Sequence, residues 1–509
     1  MFESRELLTY TNPNLTDLDD SEVISVQPNL TREKYCEVAN CAISHLVAGD
    51  SYELNLTFDA EVEAYGDPFL LYQKLKRKQR TRCSTYFYSN DRYTLSFSPE
   101  IFWNIKNQNI RTFPMKGTSK RRPSFFEDQI ASTTLKTSEK ERAENVMITD
   151  LFRNDLGKIS QIGSVKVKSL FQTEAFESVW QMTSEIDGVI LPGVSFRSLL
   201  TNLFPSGSVT GAPKIRSMEI LSDLEQRNRG LYTGSIFTLF KEADQMNSDA
   251  SVAIRTLQLN KKDKRLFGTY AVGSGITVLA NPESEYEECL SKLTFLTSTD
   301  IPDFEILETI RFFSGRFRLL SYHLERMKRS CERLGFPFNE SKAMETLDAI
   351  SHVASGLLRI RLLVNKKGDF RAESFDFIRT NKKRKINLSY SKSTLDSEEK
   401  FLYHKTTIRH FYIKELELGS KEGSEDVILL DENGNISETC LRNLFFKQDG
   451  QWFTPSLNKG GLAGTLRQKL LDKKWIKIQD INPTELSKVD QVLVGNSLRG
   501  LERVNIHEL

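Results

Sequence analysis

The chain has 509 residues, of which 39% are hydrophobic and 27% are charged, and its formal net charge is +2. These values are typical of a globular protein with more than one domain, and the small net charge gives no argument for binding nucleic acid. No run of 18 apolar residues predicts a membrane-spanning helix, so no membrane association is expected. The six cysteines show no CxxC pair and no metal-ligand spacing with the six histidines, which favours reduced thiols in the cytoplasm.

The first half of the chain is predicted to alternate helices and strands. Apolar spacing and end signals indicate helices near 31–47 and 67–76, and strands near 51–58, 86–88, 93–97, 251–257 and 268–276. Pro114 and Gly117 follow a strand-like run, which predicts that Lys116 lies in a turn. A capping box at residues 138–141 begins another helix, and Pro213 suits the first turn of a later one.

Lys116 and Glu100 are the first candidates for chemistry. Glu100 closes the segment Ser96-Phe97-Ser98-Pro99-Glu100 sixteen residues before Lys116, and a strand–turn–strand path would bring both side chains to one rim. A surface hairpin with a solvated charge at each end explains the same residues, because most charged loop residues are solvated.

Three further groups of residues suit anions or metals. Residues 205–216 form a loop that leads into a helix, and such a loop either binds an anion through its backbone N–H groups or is a plain capped helix. Glu285, Glu288 and Lys292 fall on one helix face, either as surface ion pairs or as oxygen ligands for Mg²⁺ with a cation beside them. Glu144 borders an apolar helix stripe and therefore needs a cation, a donor or a metal as its partner.

Eight motifs stand in order between residues 49 and 292. They are GDSYELNLT, SPE, FPMKGT, ERAENVMITDLFRNDLG, FPSGSVTGAPKIRSMEIL, SVAIRT, GSG and NPESEYEECLSK. This series resembles the chorismate-binding enzymes, a family that includes anthranilate synthase component I, isochorismate synthase and aminodeoxychorismate synthase component I. In the PxxGT segment of that family, anthranilate synthases usually carry Ala before the Gly, whereas Lys marks the aminodeoxychorismate synthases. Lys116 occupies that place.

The resemblance implies roles for these residues. Lys116 would attack C2 of chorismate while Glu100 protonates the departing C4 hydroxyl, and ammonia would then add at C4 and expel the lysine. The attacking lysine must be neutral, so its pKa is expected to fall by ~3 from ~10.4. The resemblance also implies a magnesium site formed by Glu144, Glu285 and Glu288. The groups that it implies for binding the carboxylates of chorismate are Ser208, Thr210, Arg255, Gly273, Gly275 and Lys292.

The sequence departs from the family pattern in ways that bear on function. Gln181 stands where many relatives have a His, so it cannot act as a base. Only 48 residues precede Gly49, whereas relatives carry many more, which predicts a first domain that is short at its N-terminus. The sequence shows no GxCxGxQ segment with a downstream His. Ammonia is therefore expected from a separate glutamine amidotransferase subunit or from solution.

The second half begins after a polar break near residues 297–303. Its pattern predicts a hairpin over 308–316, a helix over 321–335 that stops at Gly335, and strands over 358–364, 370–377, 426–430 and 436–445. Asn433 and Gly434 stand between two of these strands and form a strong hairpin signal. Taken alone, Lys405 and Glu438 are more often solvated charges than functional groups.

Five motifs of the second half change that interpretation. ETIR, HLERM, HKTT, GLAGTLR and NSLRG occur in this order, and with them residues 304–509 resemble the class IV pyridoxal-phosphate enzymes. The resemblance implies that Lys405 forms the Schiff base with pyridoxal 5'-phosphate and that Glu438 pairs with the pyridine nitrogen. It also implies that Arg326, Gly464 and Thr465 hold the phosphate. The candidate for the substrate carboxylate is Arg499.

The two resemblances together predict an α/β (α+β) protein. A chorismate-binding two-sheet sandwich with flanking helices is expected over 1–298, and a class IV aminotransferase-like α/β domain over 304–509. The implied function is synthesis of 4-aminobenzoate for folate by amination of chorismate and loss of pyruvate, and a homodimer through the second domain is a further expectation. Three alternatives stay open: a lyase or transaminase with an inactive first half, an anthranilate-forming enzyme, and a non-enzymatic first half that docks the amidotransferase.

Overall fold

The structure is a computed structural model that describes residues 21–79, 81–242, 245–298, 302–351, 356–378 and 384–506. The chain divides into two compact units. The first unit comprises Met1–Lys120 and Ser132–Ile301, and the second comprises Arg121–Ala131 and Pro302–Leu509. The segment Arg121–Ala131 thus packs with the second unit, although it lies inside the first of the two ranges expected from the sequence.

The first unit contains the chain's first fourteen described strands and most of its first seven helices. The strands are β1 (Glu22–Pro28), β2 (Glu53–Tyr65), β3 (Cys83–Ser89), β4 (Arg92–Ser98), β5 (Ile101–Lys106), β6 (Asn109–Thr112), β7 (Met115–Lys120), β8 (Lys166–Ala175), β9 (Val179–Val189), β10 (Gly211–Ala212), β11 (Ser235–Glu242), β12 (Gln245–Val252), β13 (Thr256–Lys262) and β14 (Arg265–Ile276). The helices are α1 (Arg32–Val47), α2 (Pro68–Lys78), α3 (Phe125–Thr137), α4 (Glu139–Gly157), α5 (Phe196–Leu203), α6 (Lys214–Glu225) and α7 (Pro282–Thr297). The boundary between the units falls within α3.

These strands form two seven-stranded sheets, and every described pairing in them is antiparallel. The first sheet has the order β1-β2-β14-β13-β4-β3, with β10 also beside β2. The second has the order β11-β12-β5-β6-β9-β7, with β8 beside β9. Each sheet has its own apolar core: α1, α2, α6 and α7 contribute to the first, and α4 and α5 to the second. Helix α1 shows why a helix packs on its sheet. Its apolar residues recur at helical spacing, so they form one face, and that face is buried: Tyr35, Ala39, Ala42 and Leu46.

Two of the points at which the chain passes from one sheet to the other are neighbours. Glu100 lies between β4 and β5, and Arg255 lies between β12 and β13. The two points are joined, since Val252 N donates to Glu100 O at 3.1 Å and Phe97 N donates to Arg255 O at 3.0 Å. The prediction of one strand over 251–257 was therefore wrong. The apolar alternation runs through the crossing, while Arg255 takes a φ of +49° that ends one strand before the next begins.

The prediction of a turn at Lys116 was also wrong. Lys116 is the second residue of β7, which pairs with β9 across a register shift between Met115 and Thr118. Gly117, with a φ of +97°, lies within this shift. A β-bulge accommodates an extra residue in this way without ending the strand, and a glycine permits the positive φ.

The second unit contains the remaining strands and helices. The strands are β15 (Ile306–Phe313), β16 (Arg316–Phe317), β17 (Leu357–Val364), β18 (Phe370–Asp376), β19 (Lys385–Thr394), β20 (Asp426–Leu430), β21 (Ile436–Thr439), β22 (Asn443–Gln448), β23 (Gln451–Thr454), β24 (Lys477–Ile478), β25 (Gln491–Asn496) and β26 (Gly500–Ile506). The helices are α8 (Leu320–Leu334), α9 (Glu340–Ser351), α10 (His410–Lys421), α11 (Thr465–Asp472) and α12 (Pro483–Leu486).

The strands of the second unit form a four-stranded antiparallel sheet, β16-β15-β17-β18, and an eight-stranded mixed sheet, β21-β20-β19-β26-β25-β22-β23-β24. The predicted hairpin and the helix ending at Gly335 are confirmed, and Gly335 has a φ of +71°. The single strand predicted over 436–445 was wrong. Thr439 N donates to Arg442 O at 2.8 Å, and this tight turn separates β21 from β22.

The mixed α/β character expected for the two halves is confirmed. Both units combine sheets with helices that pack on them. No helix among the described residues is both long enough and apolar enough to cross a membrane.

Candidate active sites

Lys116 forms a buried ion pair with Glu53, the first residue of β2. The Lys116 ammonium donates to Oε1 of Glu53, whose side chain is 1% exposed. Gly275 of β14 leaves room for this pair, because a Cβ at that position would collide with Oε1 of Glu53 and lie 2.6 Å from Nζ of Lys116. The second carboxylate oxygen, Oε2, is buried and has no hydrogen-bond partner among the described residues. The pair therefore has a polar atom that a bound substrate or ammonia molecule can satisfy.

The expected fall in the pKa of Lys116 is contradicted. Burial alone would lower the pKa of Lys116, but the carboxylate of Glu53 outweighs burial and the net pKa is raised above its ordinary value. The carboxylates of Glu144 and Glu288 act in the same direction. The resting lysine is consequently an ammonium ion, and it must lose a proton before it can act as a nucleophile.

Glu100 is a buried carboxyl group near Lys116. Its side chain accepts a hydrogen bond from Oγ of Ser208 and is 4% exposed. Burial raises the pKa of Glu100 to about 7, against the opposing effects of the Ser208 hydrogen bond and the Lys116 charge. A carboxyl group with this pKa holds a proton part of the time at neutral pH, as a general acid must. The structure thus brings together the two residues that the sequence placed on one rim.

In the loop before α6, the Ser208 side chain contacts Glu100, whereas the Thr210 side chain bonds within the loop itself. Ser208 lies in a single 3₁₀ turn and also shares a hydrogen bond of 2.7 Å with Ser206. The hydroxyl of Thr210 donates to the carbonyls of Ser206 and Gly207 at 3.2 and 3.3 Å. Of these two hydroxyl groups, only that of Ser208 contacts another candidate site residue.

The remaining predicted carboxylate-binding groups lie on or beside β13 and β14. Arg255 stands at the crossing between the sheets, where burial lowers its pKa. Lys292 of α7 donates to the carbonyl of Gly273 at 2.6 Å and to Glu288 at 2.8 Å. A Cβ at Gly273 would lie 2.6 Å from Cγ2 of Thr57, so close strand packing requires glycine there. Gly275 fits the Lys116 pair, as described above.

The three carboxylates predicted to bind magnesium do not form a ready metal site. Burial raises the pKa of Glu144 to about 7 and also raises that of Glu285, while Lys292 overcomes burial and lowers that of Glu288. Oxygen ligands suit Mg²⁺ in kind. However, the part of the chain that the structure describes has no group of three or more His, Cys, Asp or Glu residues that could hold a metal. The magnesium site therefore stays a prediction from the sequence.

Lys405 of the second unit is a buried lysine on which the charges of two arginines and two glutamates act. Burial lowers the pKa of Lys405 to about 7, and Arg409 and Arg326 add to this effect, whereas Glu308 and Glu438 oppose it. The backbone is held as well, because Leu307 N donates to Lys405 O at 2.8 Å. A lysine with a pKa of about 7 is neutral about half of the time at pH 7, and the neutral amine is the form that acts as a nucleophile.

Glu438 of β21 is a buried carboxyl group whose negative charge acts on Lys405. It accepts hydrogen bonds from Leu462 N at 2.8 Å, Tyr412 OH at 3.1 Å and Nδ2 of Asn443 at 3.2 Å. Burial nevertheless raises the pKa of Glu438 to about 7. A cationic partner such as a protonated pyridine nitrogen would return it to the carboxylate form.

Arg326 is held next to the start of α11. It donates to both carboxylate oxygens of Glu308, at 2.8 and 2.7 Å, and to Ala463 O at 3.1 Å. Gly464 caps α11 with its backbone, and a Cβ there would overlap Oδ1 of Asn443. Thr465, the first helical residue, shares a 3.3 Å contact with Nε2 of His323. A fixed guanidinium beside a helix start can bind phosphate.

Arg499 lies in the turn between β25 and β26. Its guanidinium stands 5.7 Å from the ring centre of Phe377, and Arg359 stands 4.7 Å from that of Phe375. Burial lowers the pKa of Arg499, and the charges of Arg442 and Arg359 contribute. Nε of Arg359 is buried without a hydrogen-bond partner among the described residues. Arg359 and Arg499 are suited to bind a carboxylate.

The sequence reasoning missed two acidic residues. Glu53 lies within the GDSYELNLT motif, but only its pairing with Lys116 reveals its importance. Glu308 lies within ETIR on the buried face of β15, and a glutamate at such a position could have indicated a functional carboxylate. Arg326 and His323 outweigh burial and lower the pKa of Glu308 to about 2.

The two halves of the chain match two protein families. Residues 3–298 match the chorismate binding enzymes, and residues 305–506 match the class IV amino-transferases. Because the first match covers more than half of the chain, the protein belongs to the chorismate-binding enzyme family. It combines that domain with a class IV aminotransferase-type domain.

Three comparisons illustrate these relationships. The chain is 38% identical over 267 residues to aminodeoxychorismate synthase component 1 of Escherichia coli, which is 52% of this chain and 57% of that protein. It is 31% identical over 302 residues to anthranilate synthase component 1 of Saccharolobus solfataricus, or 58% of this chain and 70% of that protein. The structure of 4-amino-4-deoxychorismate lyase from Pseudomonas aeruginosa aligns with 41% of this chain and 87% of its own, at 22% identity and a TM-score of 0.36. The chain spans less than two thirds of the Escherichia coli protein.

Proposed function

We propose that the protein makes 4-aminobenzoate in two steps. The first unit aminates chorismate at C4 to give 4-amino-4-deoxychorismate, and the second unit removes pyruvate from that product. The observation that carries this proposal is the presence of two separate pairs, Lys116 with Glu100 and Lys405 with Glu438. Each pair combines a lysine with a carboxyl group whose pKa is about 7.

The first reaction needs a neutral lysine and a protonated carboxyl group. Glu53 contacts the Lys116 ammonium and accepts its proton. Nζ of Lys116 then bonds to C2 of chorismate as the C4–O bond breaks, and Glu100 gives its proton to the departing hydroxyl, which leaves as water. Ammonia adds at C4 as the bond between C2 and Nζ breaks. The new ammonium returns a proton to Glu100, and Lys116 takes its own back from Glu53, so protons balance.

Substrate binding in the first unit is assigned to positively charged side chains and to the backbone beside Lys116. Arg255 and Lys292 attract the carboxylates of chorismate, and the Gly273–Gly275 backbone lies beside Lys116. Ser208 directs the Glu100 carboxyl. Magnesium stays a prediction of the sequence alone, and no step is assigned to it because Glu144, Glu285 and Glu288 form no ready site.

The residues of the second unit fit pyridoxal 5'-phosphate. When bound, this cofactor supplies an electron sink for the bonds broken at the substrate. Lys405 would link to it and would move a proton at the substrate carbon. Glu438 would keep the ring nitrogen protonated, and Arg326 with the start of α11 would bind the phosphate. Arg499, with Arg359 beside it, orients a substrate carboxylate.

The proposal extends to partner and location. Ammonia comes from a separate glutamine amidotransferase subunit, and the protein works in the cytoplasm, where its six free cysteines stay reduced. A homodimer through the second unit remains an expectation of the sequence.

The test is to incubate the protein with chorismate and ammonium ions, with and without added pyridoxal 5'-phosphate, and to identify the products by mass spectrometry. The proposal expects 4-aminobenzoate with the cofactor and 4-amino-4-deoxychorismate when the cofactor has been removed. Anthranilate as the product, or no amination by folded protein, would contradict it.

A further inference from the structure

The segment Arg121–Ala131, which we call the strap, has a place in the second unit that its position in the sequence does not suggest. It lies inside the chorismate-binding match, yet it packs with residues 302–509. The strap is therefore a piece of one family's sequence built into the other family's fold.

A buried charge network fixes the strap to helix α8. Arg121 donates to both carboxylate oxygens of Asp128 at 2.9 Å, and Asp128 also accepts from Arg122 N at 2.8 Å. Arg121 donates onward to Arg333 O at 3.1 Å, while Nε of Arg333 donates to Arg122 O and stands 3.7 Å from Asp128. The side chains of Arg121, Asp128 and Arg333 are each at most 7% exposed. Breaking such a buried network is costly, so the strap is firmly held.

The strap also holds the residue next to Lys405. Nε2 of His404 lies 3.1 Å from Pro123 O, and Nδ1 lies 3.0 Å from Oγ of Ser330 on α8. The carbonyl can only accept, so Nε2 carries the proton and Ser330 donates to Nδ1. Burial and the charge of Arg333 lower the pKa of His404 to about 3, which keeps the ring neutral as this arrangement requires.

The strap thus touches both elements that carry the candidate cofactor residues. Helix α8 contributes Arg326 as well as Ser330 and Arg333, and His404 precedes Lys405 directly. We propose that the strap belongs to the pyridoxal-phosphate site. It fixes His404, and His404 acts as a positioning residue for the neighbouring Lys405. This inference rests on the proposed second reaction, and it makes the second activity depend on sequence from the chorismate-binding half.

The test compares four variants of the full chain. Asp128→Asn weakens the network, and Ser330→Ala removes one hydrogen bond to His404. Their controls are Asp490→Asn and Ser420→Ala, which change exposed side chains of the same unit. Three quantities are measured: the affinity for pyridoxal 5'-phosphate, the pH midpoint of the bound cofactor's absorbance, and the fraction of Lys405 fixed to it by borohydride.

We expect the affinity to fall about tenfold in Asp128→Asn and about threefold in Ser330→Ala. The absorbance midpoint should move in both variants, while the controls match the unchanged protein. If Asp128→Asn does not fold, Ser330→Ala decides the matter alone. The inference would be overturned if the variants had a lower melting temperature but kept the cofactor affinity, the absorbance midpoint and the Lys405 labelling of the wild-type protein. The strap would then contribute only to stability. If the wild-type protein binds no pyridoxal 5'-phosphate, the proposed second reaction is wrong, and so is this inference.

Discussion

The ammonium group of Lys116 donates to the buried carboxylate of Glu53, and this ion pair sets the charge of the proposed nucleophile. Family resemblance alone suggested a lysine that is already neutral. In the structure, the carboxylate of Glu53 instead raises the pKa of Lys116 above its ordinary value, so the resting lysine carries a proton. Glu53 is therefore as important to the proposed amination as Lys116 itself.

Replacing Glu53 by glutamine should lower the pKa of Lys116. The substitution removes the carboxylate that outweighs burial, while Glu144 and Glu288 remain. The pH at which Lys116 is half neutral should fall by about 1 to 3 units, the usual effect of removing an adjacent opposite charge. The measurement is the pH profile of Lys116 labelling by an amine-reactive reagent, followed by mass spectrometry.

Glu287→Gln is the matched control, because Glu287 pairs with Arg32 at the surface of the same unit. It should leave the profile unchanged. A midpoint that stays in place or rises in Glu53→Gln would show that Glu53 does not hold the proton of Lys116. In that case the assigned proton transfer is incorrect.

Glu100 should show its raised pKa in both activity and stability. Glu100→Gln removes the general acid and should reduce kcat by about 10²–10⁴-fold. A buried carboxyl with a pKa of about 7 stabilises the fold when protonated, and this contribution is lost as pH rises from about 4.5 to about 7. The unfolding free energy of Glu100→Gln should therefore gain about 3 kcal/mol relative to the unchanged protein over that range.

Ser208→Ala provides the companion measurement. The hydrogen bond from Ser208 lowers the pKa of Glu100, so its removal should raise that pKa. Amination should then persist to higher pH before it declines. A decline at unchanged pH, together with stability curves that do not diverge for Glu100→Gln, would contradict the assignment of Glu100 as the acid.

Lys405 should capture its cofactor at neutral pH. Because the pKa of Lys405 is about 7, the rate of pyridoxal 5'-phosphate uptake by cofactor-free protein should rise with a midpoint near pH 7 rather than near ~10.4. Arg409 lowers this pKa, so Arg409→Met should move the midpoint to higher pH. Stopped-flow absorbance measures the rate, and Arg384→Met, at an exposed ion pair, is the control. Identical midpoints in all three proteins would refute the assignment.

Arg499 should matter for substrate binding rather than for the cofactor. Arg499→Gln removes a charged donor, and the KM for 4-amino-4-deoxychorismate supplied directly should rise by about 10- to 100-fold, as expected for a hydrogen bond to a charged group. Binding of pyridoxal 5'-phosphate should be unaffected, which calorimetry can check. Weakened cofactor binding with an unchanged KM would place Arg499 at the phosphate instead.

The sequence predicted helices whose apolar spacing is regular, such as α1 and α8. It failed at the crossing near Arg255 and at the bulge of β7, where alternation continues through a change of sheet or register. The strand–turn–strand path between Glu100 and Lys116 predicted that both side chains lie at one rim. The sequence patterns could not reveal Glu53 or the strap, because both depend on contacts between residues far apart in the chain.

The most direct test of the two-step account uses Lys405→Ala and Lys116→Ala in the same assay with chorismate, ammonium ions and pyridoxal 5'-phosphate. Lys405→Ala alone should accumulate 4-amino-4-deoxychorismate and form no 4-aminobenzoate, Lys116→Ala alone should form neither, and a mixture of the two should form 4-aminobenzoate. Formation of 4-aminobenzoate by Lys405→Ala alone, or no amino product from folded Lys405→Ala, would contradict the account.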